Sequence, residues 1–187
     1  MDRKIQQNVD SVNKRADEDR QPTLFPALVI SAFTLRRLRR FKRMLALRQK
    51  GMIIVTDRFP QTVIPGAYDG PGFPQSERGS WLVKRLARRE YATFDWMASH
   101  APDLVLRLNV DLDVACQRKP DHRRDALARK IAVTPLLTYH GAPIVEIDAN
   151  QPLAQVIAAA EAAVGKLMAD RGYTASEPVA ASGTASH

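Results

Sequence analysis

The sequence predicts an α/β domain built on a parallel sheet with flanking helices, and three observations predict it. Short apolar runs without polar alternation, at 52–56, 104–110 and 144–148, suit strands covered on both faces. Helix-length segments with apolar residues three and four apart lie before and between them. Strands alternating with helices of this length are the pattern of parallel α/β architecture. At 187 residues and 45% hydrophobic content, the chain is long enough for one such domain with a sizeable core.

The elements follow in order. Residues 1–22 carry five basic and five acidic side chains and almost no large apolar ones, so a flexible segment is expected there. Pro22 and Pro26 mark the entry to a helix running to about residue 50. Leu28, Ala32, Leu35, Leu38, Phe41 and Leu45 define its apolar stripe. Gly51 suits a left-handed cap. Met52-Ile53-Ile54-Val55-Thr56 reads as a buried strand ending at Asp57-Arg58-Phe59-Pro60. Residues 61–79, rich in glycine and proline, read as a loop whose length points to function. A second helix is expected over about 77–100, with Leu82, Leu86, Phe94 and Met97 among its apolar residues. Pro102-Asp103 introduces the strand at 104–110. A short helix near 112–119, a charged segment at 119–125 and a helix to about Tyr139 come next. Gly141 and Pro143 lead into the strand at 144–148, and Gln151-Pro152 opens an alanine-rich helix to about Asp170. One domain over 23–172 is therefore expected, with a disordered Ala/Ser/Thr-rich tail at 173–187.

Charge is unevenly placed. The net +8 resides in 23–51, where Arg36, Arg37, Arg39, Arg40, Lys42, Arg43, Arg48 and Lys50 face no acid. Such a segment serves nucleic acid, acidic lipid or phosphorylated ligands, or is a solvated helix face. No recognisable DNA- or RNA-binding module accompanies it. The single cysteine, Cys116, excludes a disulfide framework and fits a reducing cytoplasm. The histidines lack metal-ligand spacing. No apolar run reaches the roughly 18 residues that span a bilayer, and the polar opening does not resemble a secretory signal, so no membrane partner is expected.

Three segments carry a family resemblance. The first is Lys50-Gly51 followed by the apolar run and Asp57-Arg58-Phe59. The second is Pro102-Asp103-Leu104 with its strand, followed by Asp113-Val114-Ala115-Cys116-Gln117-Arg118. The third is Val145-Glu146-Ile147-Asp148-Ala149. In order and spacing, covering about 27–168, they resemble the second half of the thymidylate kinase-like P-loop kinases. The resemblance implies a three-layer sheet, ATP and Mg²⁺ as cofactors, and phosphoryl transfer to a nucleoside monophosphate or related phosphorylated small molecule. dTMP is the leading acceptor by resemblance alone, and the loop after Phe59 departs from the family's acceptor region.

The resemblance also implies roles. Asp57 would orient the acceptor or hold a magnesium-bound water, and Arg58 would grip the acceptor phosphate with its fork of donors. Phe59, Tyr68 and Phe73 would stack on a base or simply pack. Arg36 and Arg40, with Arg39 and Arg43, would line the acceptor site or remain a solvated face. Arg118, Arg123 and Arg124 correspond to the lid arginines that close over donor phosphates. In an open state Asp121 and Asp125 would pair with them. Asp148 reads as a strand-end cap. Homodimerisation through the helices at 27–50 and 77–100 is a further expectation.

One part of the pattern is missing. These kinases open with a strand running into G-x-x-x-x-G-K-[ST], whose backbone amides and lysine hold donor phosphates. No glycine precedes Gly51 here. In the family that strand lies between those corresponding to 52–56 and 104–110, so both edges are expected to be unpaired. Either the coding start lies upstream of Met1, or the chain is a non-catalytic remnant that binds phosphate-rich ligands. As written it is expected to be inactive in transfer.

Overall fold

A computed structural model of the chain describes residues 24–66, 69–73 and 80–173. The expectations of a flexible 1–22, a disordered 174–187 and a stacking role for Tyr68 fall outside those residues. Among the described residues the protein is a mixed helix and strand structure with a small parallel sheet.

Helix α1, Leu24–Gln49, accommodates Pro26 in its first turn, where a missing N–H costs no intrahelical bond. It stops at a glycine cap. Gly51 takes φ 80°, its N–H donates to Arg48 O, and Met52 N–H donates to Leu47 O, satisfying the last carbonyls. Helix α2, Trp81–Ala98, begins at Ser80, whose hydroxyl accepts from Val83 N–H. The two helices pack together in two steps. Ala27, Phe73 and Val83 form one buried cluster, and Phe41, Phe94 and Met97 form the other, with Leu38 and Phe59 against it. Fully covering side chains such as Phe94 and Met97 contributes about 1.5–3 kcal/mol each.

The buried face of α1 keeps the second half of the hydropathy stripe, Leu38, Phe41 and Leu45, and departs from it in the first half. Ala27, Thr34 and Phe41 are inside, while Leu28 and Leu35 are 52% and 47% exposed. The reason is polar. Thr34 donates to Glu90 Oε1 on α2 at 3.1 Å, and Glu90, only 4% exposed, also accepts from Gly72 N–H and Phe73 N–H at 3.0 and 2.8 Å. A buried carboxylate with three donors fixes the helix rotation and pins the loop before α2.

Strand β1, Val105–Asn109, pairs in parallel with β2, Ile144–Asp148, in the register Val105 to Ile144 through Asn109 to Asp148. Between them run α3, Leu112–Arg118, and α4, Arg124–Val133, followed by two short 3-10 turns. The helix expected to reach Tyr139 ends six residues earlier, at Val133, where the chain tightens into a 3-10 turn over Thr134–Leu136 and Pro135 has no N–H to continue the α-helical ladder. Helix α5, Leu153–Asp170, packs back on β2. Asp103, at the entry to β1, accepts from both Arg48 of α1 and Arg171 beyond α5, tying the helical pair to the sheet.

Two expectations about the sheet are corrected. Residues 52–56 form no strand, and their apolar side chains are not covered: Ile53 is 68% and Val55 91% exposed. The three-layer sheet is likewise replaced, among the described residues, by two strands. Both differences have one cause. A β-branched run becomes a strand only when a neighbour supplies its ladder, and among the described residues no partner strand lies beside 52–56 or along the second edge of β1.

Candidate functional site: an arginine-lined cleft

The basic helix and the segment that follows it meet in a cleft. α1 contributes Arg37, Arg40, Phe41 and Met44 to one wall. The chain leaves the Gly51 cap, runs back beside the helix, and contributes residues 54–56 and 58–60 to the other, with Asp69 at the rim. The cleft is open to solvent and measures about 290 Å³, room for a small phosphorylated compound. Its floor is the aromatic cluster, where Phe59 meets Phe41 edge-on at 5.7 Å between ring centroids.

The expected site residues divide between this cleft and its surroundings. Arg40, Arg58 and Phe59 share it. Arg58, with 61% of its side chain exposed, has one weak ionic neighbour, Asp57 at 3.9 Å. Arg40 has no ion-pair partner among the described residues. Phe59 is packed against Phe41 and presents part of its ring to the cleft. Asp57, 93% exposed, stands just outside, and Arg36 is exposed on another face of α1. Phe73 is buried in the core between the helices, so it packs rather than stacks on a ligand.

The three arginines expected to form a lid, Arg118, Arg123 and Arg124, lie outside the cleft. Arg124 pairs with Asp113 at 2.8 Å, and Arg123 with Asp125 at 2.9 Å. The Asp113 carboxylate raises the pKa of Arg124, first by hydrogen bonding and then by charge. Arg118 is turned onto the β2–α5 connection, where it donates to the carbonyls of Ala149, Asn150 and Gln151. Asp148 completes that turn, accepting from Asn150 N–H and Gln151 Nε2, which hold its carboxyl below the usual range. The strand-end role expected of Asp148 is what the structure shows.

Sequence reasoning missed Arg37 as a site residue. It is held by Asp69, whose carboxylate and backbone carbonyl both accept from its guanidinium, and its charge lies 5.3 Å from the Phe94 ring centre. The signal was present in the spacing: 37, 40, 41 and 44 share one helix face, whereas 36, 39 and 43 share another. Arg107 was also missed. This strand residue, 11% exposed, bonds Glu146 across the ladder and the Leu137 carbonyl, closing a polar face on the sheet.

The chain resembles two curated proteins of Escherichia coli strain K12. It is 41% identical over 144 residues to the uncharacterized ATP-binding protein YghS, a match covering 76% of this chain and 61% of that protein. To the uncharacterized ATP-binding protein YghR it is 38% identical over 146 residues, covering 78% of this chain and 58% of that one. The chain is homologous to both. It spans about three-fifths of the length of these relatives. No protein-family model matches the sequence, and no solved structure matches it.

Among the described residues no three His, Cys, Asp or Glu side chains gather as a metal site. Asp57 alone, in open solvent, fits a magnesium ion only where phosphate oxygens supply most of the coordination. No glycine-rich lysine loop occurs in the sequence to cradle a triphosphate. Among the described residues no helix is long and apolar enough to cross a membrane.

Proposed function

We propose that this chain supplies the acceptor-binding and lid portion of an ATP-dependent phosphotransferase of the thymidylate kinase-like type, acting on a phosphorylated small molecule. The observation that carries the reading is the convergence of Arg40 and Arg58 on one cleft floored by Phe41 and Phe59. Two guanidiniums with little competition from carboxylates form a receptor for a phosphate dianion. The aromatic floor suits a flat or apolar group attached to that phosphate. The names of YghS and YghR, which call both proteins ATP-binding, support nucleotide chemistry in this lineage.

In this reading the chain's residues bind and orient the acceptor, and Arg123 and Arg124 exchange their aspartate partners for donor phosphates when the α3–α4 segment closes. Transfer between phosphates is mostly positioning and charge neutralisation, so arginines are the residue type that the chemistry requires. With no glycine-lysine loop in its sequence, residues 1–187 bind the acceptor without turning over ATP.

Calorimetric titration of the purified chain with a nucleoside monophosphate tests the proposal. Binding that falls about tenfold in Arg40→Ala and in Arg58→Ala is expected, each removing one charge-assisted contact. Binding unchanged in both variants sinks the reading. Robust magnesium-dependent ATP turnover by residues 1–187 would overturn the claim that they bind without transfer.

A further inference from the structure

The cleft holds one negative charge that a phosphate receptor does not need. Asp69 lies at its rim with a side chain only 14% exposed, bound to Arg37 through both its carboxylate and its backbone carbonyl. It occupies the left-handed region at φ 61°, a conformation a non-glycine residue keeps only where its surroundings enforce it. Those surroundings are visible. Gly66 N–H donates to Pro71 O at 2.8 Å across the base of the turn. Gly72 and Phe73 are anchored on the buried Glu90. The carboxylate is therefore delivered to Arg37 by a braced turn.

Resting on the reading of the cleft as a phosphate receptor, we propose that Asp69 sets its selectivity by limiting the positive charge it offers. With Arg37 neutralised by Asp69, the cleft presents Arg40 and Arg58, a set matched to the two charges of a single phosphate monoester. A polyphosphate would bring further negative charge against the Asp69 carboxylate, whose chain neighbours Gly66, Gly72 and Phe73 are held by hydrogen bonds. Like charges at hydrogen-bonding distance in a partly buried site repel strongly enough to discriminate. Arg37 also stays in place as a wall, lying over the Phe94 ring. Asp69 is thus a specificity residue that excludes pyrophosphate and nucleoside polyphosphates from the acceptor cleft.

The test titrates the full chain with inorganic phosphate and with pyrophosphate, in wild type, Asp69→Asn and Asp69→Gly. Asparagine and glycine both tolerate a positive φ, so each removes the charge without straining the turn. The expected result is about tenfold tighter pyrophosphate binding in both variants, about twofold or less for phosphate, and loss of the gain when Arg37→Ala is added. A pyrophosphate-to-phosphate ratio unchanged from wild type overturns the inference, as does a gain that survives Arg37→Ala. If that ratio is unchanged while Arg40→Ala and Arg58→Ala still weaken phosphate binding, the selectivity role falls and the cleft stands. If wild type binds neither anion, both fall.

Discussion

Arg118 and Arg58 each stand at the end of a short segment and sit in opposite electrostatic settings. Arg118, at the end of α3, spends its donors on three carbonyls of the β2–α5 connection. Arg58, at the end of an extended segment, has 61% of its side chain in solvent and one carboxylate at 3.9 Å. The first guanidinium is part of the frame, and moving it exposes carbonyls that lose their donors. The second is free to be recruited, since a ligand phosphate displaces little but water. Availability, rather than the number of positive charges, separates a structural arginine from a binding one.

Several changes break or sharpen this contrast. The largest effect is expected beneath the cleft rather than in it. Glu90→Ala leaves Thr34, Gly72 N–H and Phe73 N–H without their shared acceptor, and a loss of about 3 kcal/mol should appear in denaturant titration. Glu90→Gln keeps one acceptor oxygen and should lose less. Arg118→Ala comes next, at about 1–2 kcal/mol of stability with unchanged phosphate binding. Weakened anion binding at full stability would instead make Arg118 a ligand. Arg58→Ala is the mirror image: phosphate binding falls about tenfold while the urea midpoint moves little.

The smallest effect concerns acid. Partial burial of Asp103 raises its pKa, but Arg171 and Arg48 outweigh it and leave the carboxyl below its ordinary value. Asp148 is lowered by Gln151 and the Asn150 amide. For groups depressed in the folded state, the stabilisation is present above the unfolded carboxylate value near pH 4 and lost as pH falls through the folded one. A melting temperature that drops below about pH 4 in wild type, and less steeply in Asp103→Asn, is the expected outcome.

How far the sequence reveals this molecule depends on where each interaction reaches. The Gly51 cap, α2, α5 and both paired strands were legible because their signals are local: a glycine after a helix, period 3.6, short apolar runs. The burial of Thr34 was not, since it depends on Glu90, 56 residues away. Residues 52–56 misled for the same reason: a β-branched composition describes what a segment does beside a neighbour and says nothing of whether the neighbour is there. In the cleft, Arg58 and Phe59 were singled out by a motif resemblance and Arg40 by the helical spacing of the arginines. Arg37 and Asp69 were not, because their pairing spans the turn that brings 69 back over α1.

The segment at 52–56 has a further consequence, in the time domain. After Met52 N–H closes the α1 cap, the amides of Ile53, Ile54, Val55 and Thr56 have no backbone acceptor among the described residues, whereas every residue of β2 lies in a ladder with β1. Amide hydrogens without a bond to break exchange without waiting for an opening event. Hydrogen exchange should therefore show a sharp step along the chain, immediate at 53–56 and slow at Val145 and Ile147. Among the described residues, the wall of the cleft that carries Arg58 therefore has little backbone hydrogen bonding to lose when it moves.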